Sequence, residues 1–416
     1  MDRNVLQMVV VVLVLFLSVN PANPQTADEL FTTGHFEKAE EAYRQVLQAD
    51  PDNLSALIRM GESATYSNKL KLAEEWLTKA FAIAPDNRKV NILLGETFYR
   101  KDDFTKAAMY FRAAGMVPRA DKLELFKGLI PNRISGERDS TTIKFETLDP
   151  LPVVKARINR GKEILLLLDT GGPDLILDTD FAREMNISIA EGASGVFAGG
   201  RTAGVGNGKI DQLVLGDFTV HHVPIGSMPL RNRVKMPKPI DGILGTVLLY
   251  HFIPTIDYIH GSLVLRKRTE DHFRKVRKDA LQKNAIAFPF WMAGDHFLLA
   301  HGMINDKGPY FFHMDTGGAG LGFGGERKYL EGAGVDLTAK PVQMMGAGGP
   351  VDVIPVNIER ISLGGAVEKD VRGNCLEQQP LSRMLGLEVA GTISHEFFKL
   401  YSVTFDFSEM IAYLEK

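Results

Sequence analysis

The chain has 416 residues, 45% of them hydrophobic, and a formal net charge of −3. That length allows two or three domains with cores of their own, and so small a charge excludes bulk attraction to nucleic acid. A single cysteine, Cys375, excludes an internal disulfide and reads as a small buried hydrophobe.

Residues 1–25 read as a signal peptide. Arg3 precedes an apolar run over residues 8–19, interrupted by Ser18, and the polar, proline-containing Asn20-Pro21-Ala22-Asn23-Pro24-Gln25 follows. The run is too short for a bilayer span and long enough for a secretory core. The expectation is a secreted or periplasmic protein with no transmembrane span in the mature chain; the alternative is an uncleaved anchor.

Residues 26–121 carry a helical repeat. Ala39, Ala73 and Ala107 recur at a period of 34, as do Phe36, Leu70 and Phe104; Gly61 and Gly95 share the spacing, and so do Pro51-Asp52-Asn53 and Pro85-Asp86-Asn87. Small residues let paired helices approach, and proline ends each hairpin. The pattern resembles tetratricopeptide repeats, with the first repeat cut short by the leader. Such a stack serves either as a docking surface for a protein partner or as a spacer. Residues 122–144, with Pro131-Asn132 and Ser135-Gly136 as turn signals, read as a polar linker.

The rest of the chain holds one tetrapeptide twice, Asp169-Thr170-Gly171-Gly172 and Asp315-Thr316-Gly317-Gly318, 146 positions apart. An apolar run precedes each copy (164–168 and 310–314), and Leu175-Ile176-Leu177 and Leu321-Gly322-Phe323 follow. Strand, glycine turn with one carboxylate, strand: this arrangement aims an Asp from a rigid loop. The duplication continues, since 210–216 matches 358–364 and 241–258 matches 390–407 without a gap. Two lobes are expected, 145–268 and 285–416, joined by an interlobe linker at 269–284 within a basic stretch that reads as solvated.

Two carboxylates brought together cannot both ionise, so they share a proton and divide the roles of base and acid. Such a pair activates a water for hydrolysis with neither metal nor cofactor. Phosphate-loop and dinucleotide patterns fail at 204–209 and 318–322, and His395-Glu396 lacks a second His at zinc spacing.

The two Asp-Thr-Gly turns, Asp241-Gly242-Ile243-Leu244-Gly245, and the strands at 255–258 and 404–407 resemble the bacterial retropepsin-like aspartyl proteases, with two halves fused as in pepsin. The implied architecture is multidomain, an all-α tetratricopeptide-like region followed by an all-β bilobal acid-protease domain. The resemblance implies a monomeric protease part, a peptide or protein substrate, and catalysis by Asp169 and Asp315. It implies support of the turns by Thr170, Gly171, Thr316 and Gly317, with the threonine hydroxyls linking the two. It also places hairpin flaps over the cleft at 195–208 and 346–349, with Phe197, Gly199, Gly200, Met345, Gly346 and Gly348 as candidates. One departure stands out: the apolar pair and glycine at Ile243-Leu244-Gly245 are matched in the second lobe by Thr392-Ile393-Ser394. That change motivates the alternative of a non-catalytic peptide-binding cleft.

Overall fold

In this computed structural model the described residues are 24–416 except 160, 191, 193, 197–201, 232–235, 347–348 and 379. Nearly all of the expected signal peptide lies outside them. Among the described residues, no helix is long and apolar enough to cross a membrane.

Antiparallel helix pairs open the chain: α1 (Pro24–Thr32) with α2 (Phe36–Ala49), α3 (Leu54–Tyr66) with α4 (Leu70–Ile83), and α5 (Arg88–Arg100) with α6 (Phe104–Ala113). The single α7 (Val117–Glu124) then packs on α6. The 34-residue period has a physical basis at each position. Ala39, Ala73 and Ala107 are fully buried between helices. Asn53 and Asn87 cap α3 and α5, accepting from Ala56 N and Val90 N at 3.1 Å each. A Cβ on Gly61 or Gly95 would sit 2.5 Å from Leu77 or 2.6 Å from Phe111, so only glycine allows that approach. The turn residues Gly34, Asn68 and Asp102 share the spacing and all have positive φ, which glycine, Asn and Asp tolerate best.

The first lobe comprises β1 (Arg133–Ser135), β2 (Ser140–Thr147), β3 (Val153–Ile158), β4 (Glu163–Leu168), β5 (Leu175–Asp178), α8 (Thr179–Glu184) and β6 (Ile189–Ala190). It continues with β7 (Ser194–Val196), β8 (Thr202–Gly204), β9 (Gly206–Leu215), β10 (Phe218–Met228), β11 (Gly242–Leu244), α9 (Thr246–Leu249), β12 (Phe252–Asp257) and β13 (Ser262–Lys267). Next comes α10 (Glu270–Gln282). The second lobe holds β14 (Ile286–Pro289), β15 (Trp291–Ala293), β16 (Phe297–Ile304), β17 (Lys307–Met314), β18 (Phe323–Glu326), α11 (Arg327–Gly332) and β19 (Val342–Gly346). It ends with β20 (Gly349–Leu363), β21 (Ala366–Leu376), α12 (Pro380–Leu385), β22 (Val389–Ile393), α13 (His395–Phe398), β23 (Ser402–Asp406) and β24 (Ile411–Glu415).

Each lobe is a closed circuit of strands with the same pairing senses. In the first, β3-β4-β11-β5-β10-β9 returns to β3; in the second, β16-β17-β22-β18-β21-β20 returns to β16. β11 lies parallel to β4 and antiparallel to β5, as β22 does to β17 and β18. The lobes meet where β12 pairs with β23, Thr255 opposite Thr404, their hydroxyls 2.7 Å apart. Those two threonines correspond in the sequence duplication, so the local two-fold passes between them. One apolar core, including Leu168, Leu244, Met314 and Ile393, runs through both lobes.

Two stretches read as linkers are ordered parts of the fold. Within 122–144, α7 ends, β1 pairs antiparallel with β10 (Arg133 opposite His221), and β2 begins. Over 269–284, Thr269 caps α10, whose Phe273, Val276 and Ala280 are buried against Ile253 and Tyr413. The charges there hid a single apolar stripe at helical spacing.

Candidate active site

β4 and β17 each deliver an Asp at the carboxyl end of a strand buried among neighbours. Asp169 N donates to Leu244 O (3.2 Å) and Asp315 N to Ile393 O (3.0 Å). The second lobe therefore holds its Asp as the first does, despite Thr392 and Ser394. Ser394 Oγ even fills the space beside Gly318, where a Cβ would lie 2.5 Å away. The substitution changes side chains, not the backbone contact.

Each turn folds its own carboxylate inward. Gly171 N donates to Asp169 Oδ1 at 2.8 Å and Gly317 N to Asp315 Oδ1 at 2.7 Å. Each carboxylate also lies against the opposite turn. A Cβ built on Gly171 would be 2.6 Å from the Asp315 carboxyl carbon, and one on Gly317 would be 2.4 Å from that of Asp169. Glycine is required here for room.

The two turns are strapped together by their threonines. Thr170 N donates to Thr316 Oγ1 and Thr316 N to Thr170 Oγ1, both at 3.0 Å. Thr170 Oγ1 in turn donates to Met314 O (3.0 Å), and Thr316 Oγ1 to Leu168 O (3.4 Å). Both threonines are buried. Burial, the charge of Asp315 and a hydrogen bond between the two side chains push the Asp169 carboxyl well above the usual carboxylate range. The backbone donors at Gly171 and Gly172 pull the other way without prevailing.

Hairpins occur at both expected flap positions, β7 with β8 and β19 with β20. Met345 and Gly346 end β19, opposite Pro350 and Gly349. Phe197, Gly199, Gly200 and Gly348 lie outside the described residues.

Residues that the motif did not single out also shape the site. Thr246 Oγ1 donates to Thr170 O at 2.8 Å and so braces the first turn from below. Asp174 closes the same loop and bonds to the helical region. Comparison of the two copies points to it, because the second lobe has only glycines and small apolar residues there. Asp149, His395 and Glu396 form a further cluster whose ligand atoms lie within 4.8 Å of one another. Lys399 Nζ stands 2.7 Å from Glu396 and 3.7 Å from Asp149, so an ammonium already balances those carboxylates.

Two segments of the chain match known families. Residues 154–248 and 300–389 match a family described as aspartyl protease. The two lobes carry the aspartyl protease pattern. Residues 25–88 match a family described as tetratricopeptide repeat. A solved structure, a retropepsin-like aspartic protease from Rickettsia conorii, is similar over 32% of this chain and 96% of its own, at 19% identity and a TM-score of 0.25. No curated protein matches the chain.

Proposed function

We propose that this protein is an aspartic endopeptidase that hydrolyses peptide bonds with a water held between Asp169 and Asp315. The observation that carries the reading is the arrangement of the two turns. Each carboxylate abuts the other turn's glycine, and reciprocal threonine bonds lock the turns at that spacing. A water between the carboxylates gives one proton to the ionised partner and attacks the scissile carbonyl. The protonated partner hydrogen-bonds the carbonyl oxygen, and the pair then returns a proton to the leaving amine. The titration belongs to the pair, so neither Asp is assigned a fixed role.

The hairpins β7–β8 and β19–β20 are proposed as the flaps that exclude water once a peptide is bound. The rival reading, a peptide-binding cleft without catalysis, drew on Thr392-Ile393-Ser394. Both Asp N–H groups are held alike, so that element no longer favours it.

The test is peptide cleavage read by mass spectrometry from about pH 3 to pH 8, the span over which a coupled dyad titrates. Asp169→Asn and Asp315→Asn should each abolish turnover and keep the fold. The alkaline limb of the wild-type profile should lie above the ordinary carboxylate range, since activity persists until the raised proton on the dyad is lost. Undiminished cleavage by both variants would sink the mechanism.

A further inference from the structure

The loop that carries Asp169 has an anchor that the second lobe lacks. Residues 172–174 offer successive carbonyls to the start of α9. Gly172 O accepts from Thr246 N (2.8 Å), Pro173 O from Val247 N (2.7 Å) and Asp174 O from Gly245 N (3.2 Å). The Asp174 carboxylate leaves the lobe altogether. It accepts from the Tyr99 hydroxyl of α5 at 2.8 Å and forms an ion pair with Lys122 of α7. The Lys122 and Asp174 side chains are only 9% and 12% exposed. Val247, bonded to the same loop, lies in the apolar cluster of the helical region.

The second lobe supplies the control. Its counterpart by backbone bonding is Gly322, whose carbonyl accepts from Ser394 N at 2.9 Å as that of Asp174 does from Gly245 N. Gly322 has no side chain to offer, and a Cβ there would meet Val371 at 2.5 Å. The same strand circuit thus closes with no carboxylate at this place. Asp174 answers to the helices and not to the lobe.

We propose that Tyr99 and Lys122 are positioning residues, holding the Asp169 loop through Asp174 so that the helical repeat sets the geometry of the cleft. The proposal rests on the reading of Asp169 and Asp315 as the reacting pair. A buried ion pair resists displacement, because either partner left alone is a charge without water. Tyr99 adds a second tether from a different helix. Only four residues separate Asp169 from this anchor, so a shift of α5 or α7 is passed to the reacting carboxylate. A partner that moved those helices would change turnover without touching the cleft.

The experiment uses the full chain with Lys122→Met, Tyr99→Phe, Asp174→Asn, the double variant Lys122→Met/Asp174→Asn, and Lys122→Arg. Steady-state cleavage of one peptide gives kcat and KM across pH, and hydrogen exchange read by mass spectrometry reports on residues 170–174 and 316–322. We expect kcat to fall about tenfold in Lys122→Met and Asp174→Asn with KM nearly unchanged, since small misplacements of reacting groups act on the chemical step. Tyr99→Phe should lose less. The double variant should be no worse than either single one, because the two partners act as one unit. Exchange should quicken in 170–174 alone, and Lys122→Arg should restore both readouts. Wild-type kcat with unchanged loop exchange would overturn the proposal, as would equal loosening of both lobes. If the wild type cleaves nothing at any pH, the proposed function fails. Loop exchange then decides the anchor by itself: selective quickening in Lys122→Met sustains it and unchanged protection overturns it.

Discussion

Thr170 and Thr316 show how much a single hydroxyl can do when its surroundings use both of its roles. Each accepts from the other residue's N–H and donates to a carbonyl of the opposite strand, and both side chains are buried. Valine keeps the shape and removes the oxygen, so Thr170→Val leaves Thr316 N–H and Met314 O unpaired. A buried donor stripped of its partner costs about 1–3 kcal/mol. We therefore expect Thr170→Val to lose roughly 2 kcal/mol in urea unfolding, and Thr170→Ser to lose far less. A valine variant as stable as the wild type would mean that the straps do not couple the lobes. The glycines between the carboxylates act by what they lack, since any Cβ there would enter the space of the opposite Asp.

At the scale of elements, the legible parts were those in which sequence periodicity and local geometry coincide. Strand-turn-strand around each Asp could be read because apolar runs flank a glycine turn, and the duplication aligns Thr255 with Thr404, which face each other across β12 and β23. The 34-residue period gave the helix pairs for the same reason. Gly95 is the clearest case: α5 meets α6 so closely that an added Cβ would stand 2.6 Å from the Phe111 ring. Gly95→Ala gains helix propensity of up to about 1 kcal/mol but overpacks a rigid ring, at about 1–3 kcal/mol. The expected net result is a lower thermal midpoint; a midpoint at or above that of the wild type would show that α6 yields freely. What escaped the sequence reading was pairing without a local signature. β1 is three residues long, and the apolar face of α10 rests on Phe273, Val276 and Ala280 amid charges. The anchor on Asp174 joins three residues from distant parts of the chain, and no periodicity links them.

At the scale of the molecule, the helical region and the lobes share an extensive seam, apolar around Phe36 and Phe311 and polar elsewhere. The three turn residues with positive φ all face the lobes. Gly34 lies against Phe311, Asn68 donates to Phe407 O at 2.7 Å, and Asp102 bonds His251 at 3.1 Å. Arg100 donates to Met292 O and Gly294 O, and Arg119 pairs with Asp295 at 2.9 Å. The turn edge of the repeat is thus occupied by the chain's own two β lobes, so an outside partner must use another face. Glu96 is buried in this seam, and burial, with Asp295 and Glu62 adding to it, pushes its carboxyl up to about 7 against the pull of Arg119 and Arg100. In the unfolded chain it ionises near 4.5. Between those values the native chain keeps a proton that the unfolded chain has released, so stability falls as pH rises from about 4.5 to about 7 and levels off above. The span corresponds to about 3 kcal/mol. Asp295 works in a lower window. Although burial raises its carboxyl, Arg119 and His296 hold it far below the usual range, and its contribution is lost only as pH falls below that of an ordinary Asp. Glu96→Gln should therefore flatten the decline between about pH 5 and pH 7 and leave the chain more stable than the wild type at pH 8. Thermal unfolding of both proteins at intervals across that range decides it. Parallel curves for the two would mean that Glu96 carries no charge-dependent strain and that the seam is insensitive to pH in that window.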